Sequence, residues 1–274
     1  MRELVEQLAK GQRLDTKSLS ALLKQCTLDD SLLQFLRDYA VRTARQQFGL
    51  GIYIRGLIEL SSYCRNDCLY CGLRRSNRSA ERYRLTADEV LECCREGYKL
   101  GFRTFVMQGG EDGTHSDAWL EELICRIRSL YPDVAITLSL GERSEESYRR
   151  LKRAGANRYL LRHEAADEEL YASLHPDSRG IKHRLSCIEA LQRAEYQVGM
   201  GMMIGVKGQT IDHIAEDLLL VKKYDCQMVG IGPFLPHRAT PLGEEPAGDL
   251  RLTLAAVAIA RLLLPKALIP ATTA

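Results

Sequence analysis

The stretch Ser61-Ser-Tyr-Cys64-Arg-Asn-Asp-Cys68-Leu-Tyr70-Cys71-Gly72 decides how this chain is read. It places three cysteines in a C-x3-C-x2-C spacing directly behind an apolar run at 54–60, so one strand delivers all three to one loop. Beyond that loop the pattern repeats. Short apolar runs rich in β-branched residues alternate with longer amphipathic segments, as βα units do. Strands are expected at 54–60, 104–108, 134–140, 158–163, 198–204, 228–234 and 268–272. Helices are expected between them at 87–100, 116–130, 145–154, 184–194, 211–224 and 250–264. Gly101 and Gly155 fall where two of these helices end, a position that favours glycine.

Alternating βα units build either an open doubly wound sheet or a closed barrel. Here polar or Gly-rich segments follow strand after strand, at 61–71, 108–112, 139–142, 162–164, 205–209 and 237–240, instead of at one switch point. A barrel gathers such loops at one mouth. The expected fold is therefore α/β, a TIM-type (β/α)8 barrel over 51–274 behind a helical extension over 1–50. In that extension Leu32, Leu33, Phe35, Leu36 and Tyr39 recur at helical spacing after a Thr27/Asp30 capping pair. The chain stops at Ala274, straight after the seventh strand, so the last βα unit is expected to be missing through truncation.

A length of 274 residues suits one such domain. Lys plus Arg number 38 against 36 for Asp plus Glu, and a net charge of +2 gathers neither nucleic acid nor anionic membrane. Arg2, Glu3, Glu6, Lys10 and Arg13 interrupt the apolar residues at the N-terminus, which argues against a secretory leader, and no run has membrane-spanning length. Nine cysteines in a leaderless chain point to reduced thiols in the cytoplasm, where clustered Cys ligate metal more often than they pair.

Three thiolates from one short loop can each hold one iron of a [4Fe–4S] cubane and leave the fourth iron without a protein ligand. That iron can chelate the amino and carboxylate groups of S-adenosylmethionine (SAM), so that one electron breaks a carbon–sulfur bond and releases a 5′-deoxyadenosyl radical. A structural zinc would need a fourth Cys or His. Cys93 and Cys94 are adjacent on a helix and cannot both face one metal, and His115 lies beyond the next strand. Cys26, Cys93, Cys94, Cys125, Cys187 and Cys226 read as buried small hydrophobes. Met202, Met203 and Met228 read as core or adenine packing, and His163 and His237 as structural histidines.

At its cysteine loop the chain resembles the radical SAM superfamily, with Tyr70 in the aromatic position near the adenine. Gln108-Gly-Gly-Glu111-Asp112 looks like the superfamily's GGE motif. Five further segments, Thr137-Leu-Ser139-Leu-Gly141-Glu142, Arg158-Tyr-Leu-Leu-Arg162-His163-Glu164, Gly230-Ile-Gly-Pro-Phe234-Leu-Pro-His237, Thr240-Pro-Leu242 and Ile269-Pro-Ala-Thr272-Thr273-Ala274, closely resemble the HydE family, the radical SAM maturases of [FeFe]-hydrogenase. The resemblance runs along nearly the whole chain and implies an enzyme. It implies cluster ligation by Cys64, Cys68 and Cys71. It also implies SAM contacts from Tyr70, Gln108, Gly109, Gly110, Glu111, Thr137, Ser139, Glu164, Arg184, Met203 and Met228. Arg162, Thr272 and Thr273 would line the substrate cavity. The implied reaction is attack of the radical on sulfur of a cysteine-bound Fe(CO)2CN complex, with an external electron donor, supply by the maturase HydG and transfer to HydF.

Gly109 departs from the family, which frequently carries Ser there. Judged by itself, Arg184 could equally be a surface ion pair. Rival readings are methylornithine synthase, biotin synthase, whose additional cysteines are replaced here by Ser139 and Met202, and a non-catalytic iron–sulfur carrier. A carrier has no use for the polar groups of 108–112 and Glu164.

Overall fold

The apolar runs become six parallel strands, described over residues 1–271 in a computed structural model. They are β1 (Gly56–Ser61), β2 (Thr104–Gly109), β3 (Ala135–Ser139), β4 (Arg158–Leu160), β5 (Gln197–Ile204) and β6 (Met228–Pro233). Their order in the sheet equals their order in the chain, every pairing is parallel, and a helix crosses back between each pair. That is the winding of a TIM-type barrel. Strands covered by helices must be apolar on both faces, and β5 accordingly buries every residue after Gln197. Glycines let β5 and β6 come close: a Cβ on Gly201 would lie 2.2 Å from the Gly230 carbonyl oxygen.

Short polar side chains start the helices by accepting the backbone N–H groups that have no partner in the first turn. Thr86 and Glu89 form a capping box for α4 (Ala87–Lys99). Ser116 caps α5 (Asp117–Leu130), Ser144 caps α6 (Glu145–Ala154), Thr210 caps α9 (Ile211–Lys223) and Asp249 caps α10 (Leu250–Leu263). The first fifty residues form α1 (Arg2–Ala9), α2 (Thr16–Leu28) and α3 (Asp30–Phe48). Asp29, not the Thr27/Asp30 pair, caps α3. α2 packs on α9 and α10, and α3 on α10, so these helices share one continuous apolar core with the strands. Among the described residues no helix is long and apolar enough to cross a membrane.

Four elements differ from expectation. The seventh strand is, among the described residues, a single parallel bridge from Leu268 to Met228. β4 is shorter than expected, ending at Leu160; beyond it the chain stays beside β5, with Leu161 N donating to the Gly199 carbonyl, Glu164 N to the Gly201 carbonyl and an isolated parallel bridge from Glu164 to Met202, where Glu164 has a left-handed φ of 66°. The stretch after it, read as loop, contains α7 (Glu168–Leu174), capped by Asp167 and buried through Leu170, Tyr171 and Leu174. The next helix, α8 (Ile181–Arg193), starts before residue 184.

Candidate functional site

Parallel strands of a barrel point their C-terminal ends at one mouth, and the cysteine loop leaves β1 there. It has almost no regular structure, so side chains satisfy its backbone. Asp67 accepts from Arg74 Nε at 2.9 Å and Nη2 at 2.5 Å, and from Ser76 N at 2.9 Å. Arg82 donates to the carbonyls of Ser62, Leu73, Arg74 and Asn77. The His237 ring sits against Gly72, where a Cβ would lie 2.9 Å from it.

Cys64, Cys68 and Cys71 are free, partly exposed thiols on this frame. Burial pushes the Cys68 thiol up to about 12, with Cys71 and Cys64 adding to it, and burial also raises Cys71. Such thiols ionise together only around a cation, which is what a cluster supplies.

The ends of β2 and β3 brace the loop. A Cβ on Gly110 would lie 2.2 Å from the Tyr63 carbonyl oxygen and 2.6 Å from Cys64 Cβ, so only glycine lets the loop lie there. The Glu111 carboxylate accepts from Arg65 Nη2 at 2.8 Å and from Glu142 N at 3.0 Å. It lies over Gly141, whose φ is +74° and whose Cβ would meet Glu111 Cγ at 2.0 Å. Its side chain therefore ties the cysteine loop to the β3 turn. Asp112 accepts from Ser61 Oγ at 2.7 Å and Arg84 Nε at 2.6 Å. Burial opposes its ionisation, but Arg84, Ser61 and Thr114 outweigh burial and hold its carboxyl well below the usual range. Gln108 and Ser139 stand side by side across β2 and β3, partly buried, and Thr137 is buried.

Glu164 stands beyond β4 with its side chain 10% exposed. Its Oε1 lies 3.3 Å from Arg162 Nε, while its Oε2 and the Arg162 Nε and Nη2 atoms are buried without a hydrogen-bond partner. Buried charged atoms left unpaired in this way point to a ligand. Behind them His163 Nε2 lies 3.1 Å from Asp217 Oδ1, both residues fully buried, and Ala166 N donates to the same oxygen at 2.6 Å.

A cavity of about 270 Å³ is bounded by Cys68, Glu111, Glu142, His175 and Arg184. A second cleft of about 310 Å³ shares Arg65, Glu111 and Glu142 with it. Arg184 is not a surface ion pair: its side chain is 11% exposed, with Nε 3.1 Å from Glu142 Oε1 and 3.3 Å from the Tyr171 hydroxyl. His175 Nδ1 lies 2.8 Å from the Tyr171 carbonyl and so must carry the proton, which leaves Nε2 to accept from the Tyr70 hydroxyl at 2.9 Å. Burial lowers the pKa of His175 and raises that of Tyr70 well above its ordinary value, so both stay neutral.

Met203 is buried in a small apolar cluster with Tyr171 and Phe234, against which Tyr70 packs. Met228 is not brought to the mouth; it opens β6 at the opposite end of the barrel and packs on Gly199. Thr272 and Thr273 lie outside the described residues. His175, Tyr171, Asp217 and Arg65 were not singled out from sequence. The α7 pair carried a signal, since Asp167 followed by Leu170, Tyr171 and Leu174 is a capped helical face.

The model of the radical SAM superfamily matches residues 58–221. The [FeFe] hydrogenase maturase subunit HydE of Thermotoga maritima is 47% identical over 84% of this chain, which spans 65% of that protein's length. The 3-methylornithine synthase of Methanosarcina acetivorans is 29% identical over 97% of this chain and 75% of its own. A crystal structure of methylornithine synthase superposes with a TM-score of 0.88 at 28% identity, covering 98% of this chain and 78% of that one. With more than half its length matched by the family model, carrying the three-cysteine loop at the mouth of a parallel barrel, this chain belongs to the radical SAM superfamily.

Proposed function

We propose that the chain is the barrel of a HydE-type maturase, a radical SAM enzyme of [FeFe]-hydrogenase cofactor assembly. The observation that carries this is the meeting of three free thiols on one braced loop with a buried Glu164, whose Oε2 has no hydrogen-bond partner, and a buried Arg184. The 47% identity to HydE directs the reading to that maturase. Cys64, Cys68 and Cys71 hold the [4Fe–4S] cluster. When bound there, a [4Fe–4S] cluster would supply the electron for reductive SAM cleavage, and the resulting radical chemistry would be directed at sulfur of a cysteine-bound Fe(CO)2CN substrate.

The protein's own groups bind and orient. Arg184 gives up Glu142 to meet the SAM carboxylate, a guanidinium–carboxylate pairing that is planar and charge-assisted. Glu164 accepts from the ribose hydroxyls, which satisfies its orphan oxygen. Tyr70, held by His175, offers its ring to the adenine, with Met203 packed close by. The strand-end backbone at Gly109 and Gly110 receives the SAM amino group, with Gln108, Thr137 and Ser139 completing that wall. Arg162, with Thr272 and Thr273, grips anionic parts of the substrate. An external donor supplies the electron, and a HydG-type and a HydF-type protein stand before and after this step.

The near full-length likeness to methylornithine synthase supports a second reading, an amino-acid rearrangement by the same radical. Two measurements separate the readings. Anaerobic reconstitution followed by dithionite and SAM is expected to release 5′-deoxyadenosine. Expression in a strain lacking its HydE is expected to restore hydrogenase activity; SAM cleavage without restoration favours the rearrangement.

A further inference from the structure

A second set of donor atoms meets the reaction proposed above only through Glu142, the carboxylate that Arg184 releases there. His183 and Cys187 stand four residues apart on α8 and so share one face of that helix. Glu142 reaches them from the turn after β3. His183 Nε2 lies 3.4 Å from Glu142 Oε2 and 3.7 Å from Cys187 Sγ, and the three donor atoms all fall within 4.8 Å of one another. A tetrahedral ion with bonds of about 2.0–2.1 Å to N and O and about 2.3 Å to S has edges of roughly 3.4 Å for N···O and 3.6 Å for N···S. Both measured edges already have that length.

Without an ion, Nε2 bonds only one of its three neighbours, and Cys187 Sγ is left with a long contact of 4.0 Å to the Arg143 carbonyl oxygen. The single nitrogen Nε2 faces a carboxylate oxygen, a thiol and the Arg179 guanidinium at 3.5 Å, and one ring nitrogen either donates or accepts. An ion placed among them takes the Nε2 lone pair, the thiolate and Glu142 Oε2 at once. We propose that Glu142, His183 and Cys187 bind one divalent transition-metal ion of the zinc type, with the fourth position open to water. Binding transfers the Cys187 thiol proton to solvent and moves no electrons. Thiolate and carboxylate cancel the charge of the ion, so Arg184, paired to the other Glu142 oxygen at 3.1 Å, meets a neutral centre. Cys187 is buried and His183 half-exposed, which leaves the open position on the solvent side. The site joins the β3 turn to α8, and it stands or falls independently of the cluster reading.

The direct test is zinc per chain, by elemental analysis, in cluster-loaded wild-type protein and C187S after zinc loading and dialysis. One additional zinc in wild type that is absent from C187S is expected; equal zinc in both overturns the proposal. Cobalt(II) gives a second readout in a chain whose Cys64, Cys68 and Cys71 are all replaced by Ala, shown to be folded by circular dichroism. One equivalent of Co2+ with a thiolate-to-cobalt charge-transfer band is expected. That band disappears in C187S, and binding weakens about tenfold or more in H183Q. A folded chain without the band, or a band that survives C187S, also overturns it.

Discussion

Glu164 holds a conformation that a side chain with a Cβ rarely adopts, at a cost of about 1–3 kcal/mol that its surroundings must offset. Asp217 does so from the outer helix by accepting from both His163 and Ala166. Asp217→Asn keeps the volume and loses an acceptor, and it is expected to raise the KM for SAM severalfold with little change in kcat. Glu164→Gln removes a charged hydrogen-bond acceptor worth about 1.5–3 kcal/mol, so SAM affinity by calorimetry should fall about ten- to hundredfold. Asp112 gives a pH dependence. Its carboxyl is depressed in the folded state, so its stabilisation is present above the ordinary carboxylate range and is lost as pH falls through its lower folded value. Chemical denaturation of Asp112→Asn should therefore show lower stability at neutral pH and a flatter decline in acid. The cysteines and the glycine pair were singled out from local motifs, and Arg184 only from the family resemblance. His175 and Asp217 were not, because their partners Tyr70 and His163 lie 105 and 54 residues away in the chain.

Among the elements, the cysteine loop depends on a neighbour it does not touch in sequence. Gly110→Ala drives a methyl group into Tyr63 and Cys64, and it should lower iron per chain after reconstitution while leaving the far-ultraviolet circular dichroism unchanged. Gly201→Ala instead wedges β5 from β6, and about 1–3 kcal/mol of stability should be lost in thermal or denaturant unfolding. Helices with a capping residue and a long apolar face were legible to within a few residues. The seven residues of α7 were passed over although Asp167 followed by Leu170, Tyr171 and Leu174 marks a capped face, because two turns are too short to establish a period by themselves. The left-handed backbone of Glu164 had no signal either, since nothing in Arg162-His163-Glu164 announces a positive φ.

Over the whole molecule, the repeated placement of polar segments behind strands was enough to read a barrel, because only a closed winding brings those segments to one mouth. The N-terminal helices and the strands share a core, which periodicity could not show. The account rests on the three loop thiols leaving one iron free for SAM. Electron paramagnetic resonance of the anaerobically reconstituted, dithionite-reduced protein, recorded with and without SAM, tests that claim most directly. A [4Fe–4S]+ signal whose g values shift when SAM is added is predicted. A signal indifferent to SAM, or no cluster and a closed four-ligand zinc at the loop, would contradict it.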